Sequence, residues 1–383
     1  MTSILMILEA TVGGIRRHVV DLLVGLDKKR CKVVLIYSLS RADAGFKKAM
    51  AALAANGVDL YEVAMGRGID PAMDFRALCE IISIIRKTKP DIIHLHGAKA
   101  GAIGRGAAML CGNRRIVYTP HGGSFHKFKG RSGRVYWAVE KSLGWISKTR
   151  YIGVSQHSCD QILQGLGAPP NRVHLVYNGI SAPATSADGP GQVYGEENQL
   201  NFKILFPAVF FEAKGHLEFL DALHRSKNKL NPTIRIFLAG DGPLKYEIEQ
   251  RIRNYRLDQQ ILMVGFVEDV NPWYQGSDLV ILPSRDEAFG YVVLEAMYFG
   301  KPVAVARVGG LKEIIRENET GLFFGEDAWS DMAGTLNGYA GAAAKLSELG
   351  HNGQEFVRTH FSLEKMIEET CAVYRQAEKK RSD

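Results

Sequence analysis

The feature that most constrains this chain is a rhythm of short apolar runs and helical patterns that begins at the N-terminus, breaks once, and begins again. Ile4 to Leu8, Lys32 to Tyr37, Asp91 to His96, Arg115 to Thr119, Tyr151 to Val154 and His174 to Val176 read as strands with helical periodicity between them. The break is Ser181 to Leu200, where Pro183 and Pro190 stand among Gly, Ala, Ser and Asn. Beyond it Lys203 to Phe206, Thr233 to Ala239, Ile261 to Val264, Asp278 to Leu282 and Pro302 to Ala306 read as strands again. Repeated strand-helix alternation demands a parallel sheet covered by helices, because parallel neighbours need a crossover connection. At 383 residues the chain exceeds one typical core. The expectation is two doubly wound α/β domains, residues 1–180 and 201–362, joined by a linker at 181–200. A closing amphipathic helix, about Leu363 to Lys379 behind Ser362, ends the pattern.

The conspicuous turn residues fall at one end of both predicted sheets. Gly13-Gly14, His96-Gly97 and His121-Gly122-Gly123 follow strands of the first half; Lys214-Gly215, Gly240-Asp241-Gly242, Gly265-Phe266, Glu287 and Gly309-Gly310 follow strands of the second. Open α/β sheets bind ligands at those strand ends, where backbone N-H groups and helix N-termini meet phosphate. Glu287 and Glu295 stand eight residues apart across the predicted loop-to-helix step after Asp278 to Leu282. At about 1.5 Å rise per residue that is roughly 12 Å, the reach from sugar to ribose in a nucleotide-sugar.

Several chemistries lose their signatures. No G-x-G-x-x-G follows the first strand and no P-loop is present, which disfavours a dinucleotide oxidoreductase and a P-loop enzyme. No aspartates stand two residues apart, so a D-x-D metal clamp is missing; His94-Leu95-His96 lacks a third nearby ligand in sequence, and no metal is expected. Five scattered cysteines without a C-x-x-C pair point to reduced thiols and a cytoplasmic location. Met1 to Glu9 carries no basic leader and reads as a first strand, and no apolar run approaches the roughly 18 residues of a spanning helix.

The net charge is +7, which suits an anionic ligand, an anionic membrane surface or nucleic acid. Nucleic acid accounts for the charge but not for the paired glycine edges, so it is not expected as a partner. Seven Lys/Arg lie between His121 and Arg150 against one acid, Glu140, with Phe125, Phe128, Tyr136, Trp137 and Trp145 among them. Over 124–150 this pattern points to an anionic membrane surface on the inner face of the cytoplasmic membrane, or to a lipid-diphosphate acceptor. The competing reading is a solvated basic face with Val135, Tyr136, Val139, Leu143 and Ile146 turned inward.

An ordered series of motifs carries a resemblance. Asn178-Gly179-Ile180, Ala213-Lys214-Gly215-His216, Ala239-Gly240-Asp241-Gly242-Pro243, Val264-Gly265-Phe266, Pro283 to Gly290, Leu294-Glu295-Ala296, Gly300-Lys301-Pro302 and Gly309-Gly310 occur in that order, with Gly13-Gly14, Ile93 to His96 and Thr119-Pro120-His121-Gly122 before them. Together they resemble the retaining family-four glycosyltransferases of GT-B fold, particularly members that build bacterial polysaccharides and lipid-linked oligosaccharides. The resemblance implies two Rossmann-like domains with an interdomain cleft and residues 363–383 packed back on the first. It implies transfer of a hexose-type sugar from a nucleoside diphosphate, UDP favoured, to a glycan or lipid-linked hydroxyl, with no cofactor and no metal.

The resemblance assigns catalytic roles to His121 near the transferred sugar, Glu287 on its hydroxyls and Lys214 on the diphosphate. Donor binding falls to Gly13, Gly14, Gly240, Gly265, Phe266, Phe289, Gly290, Tyr291 and, on the ribose, Glu295. An arginine usually stands five residues before the lysine; Val209 occupies that place here. Arg16, Arg17 or Arg307 is expected to supply the missing charge. A nucleotide-sugar epimerase on the same fold is the alternative, and a non-catalytic two-lobed sugar-nucleotide-binding protein is a weaker one.

Overall fold

A computed structural model describes residues 1–66, 68–121, 130–182, 193–195, 198 and 200–378, the side chains of 130–136 excepted. The chain divides into two units, Met1–Gly179 with Leu363–Asp383, and Ile180–Ser362.

The first unit is built on β1 (Thr2–Leu8), β2 (Cys31–Tyr37), β3 (Val58–Glu62), β4 (Ile92–His96), β5 (Ile116–Thr119), β6 (Arg150–Gly153) and β7 (Val173–Leu175). All pairings are parallel, in the order β3-β2-β1-β4-β5-β6-β7. Successive residues of a strand face opposite sides, and both sides here are buried. Ile4, Met6, Leu8, Val33 and Leu35 pack with Val19, Leu22 and Leu23 of the helix Gly13–Gly25 and with Met366, Val373 and Tyr374 of the last helix, Leu363–Glu378. Leu5, Ile7, Val34 and Ile36 pack on the other side with Ala77, Ile81 and Ile85 of the helix Pro71–Thr88 and with Ala100, Ala107 and Ala108 of Ala98–Leu110. Burial on both faces is why these strands read as continuous apolar runs.

The second unit carries β8 (Phe202–Pro207), β9 (Ile234–Ala239), β10 (Ile261–Gly265), β11 (Leu279–Leu282), β12 (Val303–Ala306) and β13 (Leu322–Phe324) in the parallel order β10-β9-β8-β11-β12-β13. In each sheet the chain order reverses at one place, between β1 and β4 and between β8 and β11. Loops on either side of such a switch diverge and leave a crevice at the strand C-terminal ends. Gly13-Gly14 and His96-Gly97 flank the first switch, and Lys214 and Glu287 flank the second.

The strand pattern in sequence misses β3 and β13, each at one edge of its sheet, while it reads the opposite edges β7 and β10. Most of the 181–200 segment lies outside the described residues, but Tyr194 is buried, packs edge-on against Phe237 and Trp273, and donates to the Trp273 carbonyl at 2.6 Å.

Residues 122–129 of the basic stretch, with Phe125 and Phe128, lie outside the described residues, as do the side chains of 130–136, including Val135 and Tyr136. In the rest of the helix Gly130–Ile146 the inward reading of two residues is corrected: Val139 is 46% and Ile146 58% exposed. The face that packs inward carries Glu140 and Gly144 instead, because Glu140 meets Arg105 of Ala98–Leu110 at 2.6 Å with both side chains buried. No helix among the described residues is long and apolar enough to cross a membrane.

Candidate functional site

In the second unit two loops meet at the switch between β8 and β11. After β8 the chain passes Val209, which is 41% exposed, and closes a short turn at Glu212–Lys214. The helix His216–Arg225 starts immediately after Gly215. After β11, the backbone N-H of Arg285 donates to the Ala213 carbonyl at 2.9 Å and fastens the second loop to the first. Lys214 Nζ consequently reaches Glu287 Oε2 at 2.5 Å, with both side chains partly exposed.

Three glycines hold the Glu287 loop. Gly290, at φ +113°, turns the chain into the helix Tyr291–Tyr298 in a conformation that side chains with a Cβ rarely adopt. Gly309 lies so close to the Glu287 carbonyl that a Cβ would collide with it, and Gly310 donates its N-H to that carbonyl at 2.9 Å. Only the last part of the interval from Glu287 to Glu295 is helical, since the helix starts at Tyr291. The 12 Å estimate treated the whole interval as helix and does not carry over.

Glu295 lies on that helix and accepts a 2.7 Å hydrogen bond from the hydroxyl of Tyr274, which is 1% exposed. Tyr274 carries no motif of its own and was not singled out in sequence; its helix, Asn271–Gly276, is only six residues long. Phe289 is 2% exposed and packs on Phe361, so its side chain belongs to the core and its backbone alone is left for a ligand. Tyr291 sits edge-on to Phe289. Gly240 donates to the Gly265 carbonyl at 2.8 Å, joining the ends of β9 and β10, and Phe266 beside them is 58% exposed.

In the first unit Gly13, at φ +62°, opens the helix Gly13–Gly25, with Gly14 as its second residue. Asp43 gathers the surrounding donors: Gly13 N-H at 3.4 Å, Phe46 N-H at 2.8 Å and Arg16 Nε at 3.3 Å. Arg17 pairs with Asp21 at 3.3 Å. Arg307 of the second unit pairs with Glu317 and lies 4.1 Å over the Phe323 ring. Each of the three candidate cations therefore has a carboxylate partner in its own unit.

The first switch point also collects histidines. His121, at φ +56°, sets its Nε2 3.1 Å from His96 Nδ1, and its ring lies 4.8 Å from that of His18. His18 Nδ1 is 2.8 Å from Asn178 Oδ1. Neighbouring His94 uses both nitrogens, on Thr119 Oγ1 at 2.8 Å and the Tyr374 hydroxyl at 2.7 Å. Burial lowers the pKa of His18 to about 4 and holds His94, His96 and His121 well below the ordinary range, so the rings are neutral. The sequence placed only His94 and His96 together; the fold adds His18 and His121 from other strand ends. Nothing local signals His18, which lies far along the chain on the helix after β1.

Comparison with known proteins agrees with this architecture. The model for "Glycosyltransferase Family 4" matches residues 12–182, and that for "Glycosyl transferases group 1" matches residues 195–355. A UDP-Gal:alpha-D-GlcNAc-diphosphoundecaprenol alpha-1,3-galactosyltransferase of Escherichia coli is 26% identical over 263 residues, 67% of this chain and 68% of that protein. An N-acetyl-alpha-D-glucosaminyl L-malate synthase of Bacillus anthracis is 26% identical over 318 residues, 79% of each chain. The crystal structure of Anabaena Alr3699/HepE in complex with UDP and glucose superimposes with a TM-score of 0.83 at 20% identity, covering 98% of this chain and 100% of that one.

Proposed function

Starting from a chain that belongs to glycosyltransferase family 4, with a group 1 glycosyl transferase region and the GT-B fold, we propose that it moves a hexose-type sugar from a UDP-sugar to an acceptor hydroxyl and keeps the anomeric configuration. The glycosyltransferase activity serves polysaccharide or glycolipid synthesis. UDP as carrier is supported by the structural neighbour that holds UDP and glucose and by the Escherichia coli relative named for UDP-Gal. The matched families are glycosyl transferases and the Escherichia coli relative is named a galactosyltransferase, which disfavours the epimerase alternative.

The observation that carries the reading is the Lys214-Glu287 contact at the second switch point, 2.5 Å long and beside the start of the helix Tyr291–Tyr298. Breaking the anomeric C-O bond leaves charge on the diphosphate, and a fixed ammonium with helix N-H groups stabilises that charge where it develops. In the proposed step the acceptor oxygen bonds to the anomeric carbon on the face the diphosphate leaves, and a diphosphate oxygen takes the acceptor proton. Glu287 holds sugar hydroxyls and Glu295 the ribose; no metal or cofactor enters.

A thermal-shift screen across UDP, GDP, ADP and their sugars tests the donor, because a ligand of the folded state raises Tm by mass action. UDP-sugars are expected to stabilise most; selective stabilisation by GDP- or ADP-sugars would overturn the base assignment. An inverted product linkage by NMR would overturn retention.

We further propose that the helix Gly130–Ile146 rests on an anionic membrane surface at the inner face of the cytoplasmic membrane, presenting a lipid-linked acceptor. Trp145 is 77% exposed beside exposed Ile146, Val139, Lys141 and Lys148. Flotation with anionic vesicles is expected to carry the protein at low salt and to lose it in Trp145→Ala; no flotation of the unaltered protein would remove the idea.

A further inference from the structure

The histidine cluster of the first unit is larger than the proposed reaction uses. His18, His96 and His121 each offer one ring nitrogen, and these three atoms lie within 4.8 Å of one another. We infer that the three imidazoles form a site for a zinc-class divalent cation, with an open fourth position for water.

Three observations carry this. The Nε2 atom of His18 is buried without a hydrogen-bond partner, an arrangement that costs free energy unless a ligand takes it up. The 3.1 Å between His96 Nδ1 and His121 Nε2 is close to the edge of a zinc tetrahedron, about 3.3 Å for bonds of about 2.0 Å. The amide oxygen of Asn178 accepts from His18 Nδ1, which leaves the His18 Nε2 lone pair free and fixes the ring, the arrangement that supports a metal-bound imidazole from behind. His94 is outside the site because both its nitrogens are engaged.

Three neutral imidazoles without a thiolate or carboxylate suit zinc or copper better than magnesium or calcium. If His121 has the role in transfer that the resemblance assigns it, zinc bound there occupies its ring nitrogen and suppresses transfer. That consequence rests on the glycosyltransferase reading; the binding does not.

Tag-free protein dialysed against zinc, with bound metal measured by elemental analysis, is expected to retain one equivalent. Cobalt in its place should show the intense visible bands of a tetrahedral site. His121→Ala should abolish both signals and, being a substitution at a partly exposed loop position, should leave the circular dichroism unchanged. Asn178→Ala should weaken binding about ten- to a hundredfold, whereas His351→Ala and His360→Ala, at exposed positions, should change nothing. Absence of a stoichiometric equivalent, or equal binding by His121→Ala, overturns the site. One equivalent of zinc with undiminished turnover keeps the site and removes His121 from the reaction.

Discussion

Lys214 and Glu287 come from different strand ends 73 residues apart and close on each other at 2.5 Å, so each presents its charge already matched by the other. A partly exposed ion pair of this kind is worth about 0 to 1 kcal/mol to stability. In the proposed reaction an incoming donor exchanges the carboxylate for its diphosphate at the ammonium, which frees Glu287 for sugar hydroxyls.

Glu287→Ala is therefore expected to lower kcat by about a hundredfold to a thousandfold, comparable to removal of a charge-stabilising group, while Tm stays within a few degrees of the parent. Wild-type turnover in this variant would refute the assignment; a collapsed Tm would show that the loop, not the chemistry, depends on Glu287.

Tyr274 holds Glu295, so in the proposed site its effect on the donor passes through that carboxylate. Tyr274→Phe removes the 2.7 Å hydrogen bond but keeps the buried ring, so KM for the donor should rise about tenfold, in line with about 1.5 kcal/mol for a bond to a charged acceptor. kcat should change little. An unchanged donor KM would show that Glu295 needs no such support.

Among the cations proposed to offset Val209, Arg16 is the one whose partner, Asp43, also holds the Gly13 turn. Arg16→Ala should cost more than tenfold in kcat/KM, whereas Arg17→Ala and Arg307→Ala should stay within about twofold. Equal turnover in all three variants would mean that none of them compensates for Val209.

Arg105 and Glu140, 0% and 2% exposed, form the pair that seats the helix Gly130–Ile146. Removing one member strands a buried charge, so Glu140→Ala should destabilise by about 3 to 5 kcal/mol in denaturant titration. A loss below about 1 kcal/mol would show that water reaches the guanidinium.

His216 stacks on Phe206 at 4.1 Å with both ring nitrogens buried and unpartnered, and burial first, then Lys214, lowers its pKa from 6.5 to about 3. The native ring stays neutral while the unfolded chain takes up a proton below pH 6.5. Stability from this group is complete above that pH and falls by about 1.4 kcal/mol per pH unit as the pH drops towards 3. His216→Phe should flatten that slope and raise Tm at pH 5; an unchanged slope would show that the ring is protonated in the fold.

The central strands of both sheets were legible because burial on both faces leaves no polar interruption, as in Ile4 to Leu8. The edge strand Val58-Asp59-Leu60-Tyr61-Glu62 escaped because its polar residues break the apolar run. Of the candidate site, the loop residues at strand ends could be read from glycine and charge. Tyr274 and His18 could not, since each acts from an ordinary helical position and becomes informative only when another segment arrives beside it. The inward face of Gly130–Ile146 misled for a related reason: a buried ion pair hides a carboxylate where apolar spacing is sought.

The last helix fills the core of the first unit, with Met366, Val373 and Tyr374 against strands from the opposite end of the sequence and the Tyr374 hydroxyl on His94. During translation the ribosome delivers that helix only after every other element has emerged. The first unit to be synthesised is thus the last able to finish its core, while Ile180–Ser362 is contiguous and has all its strands beforehand. Synthesis order and folding order run in opposite directions here, and until that last helix emerges one face of the nascent first sheet stays uncovered.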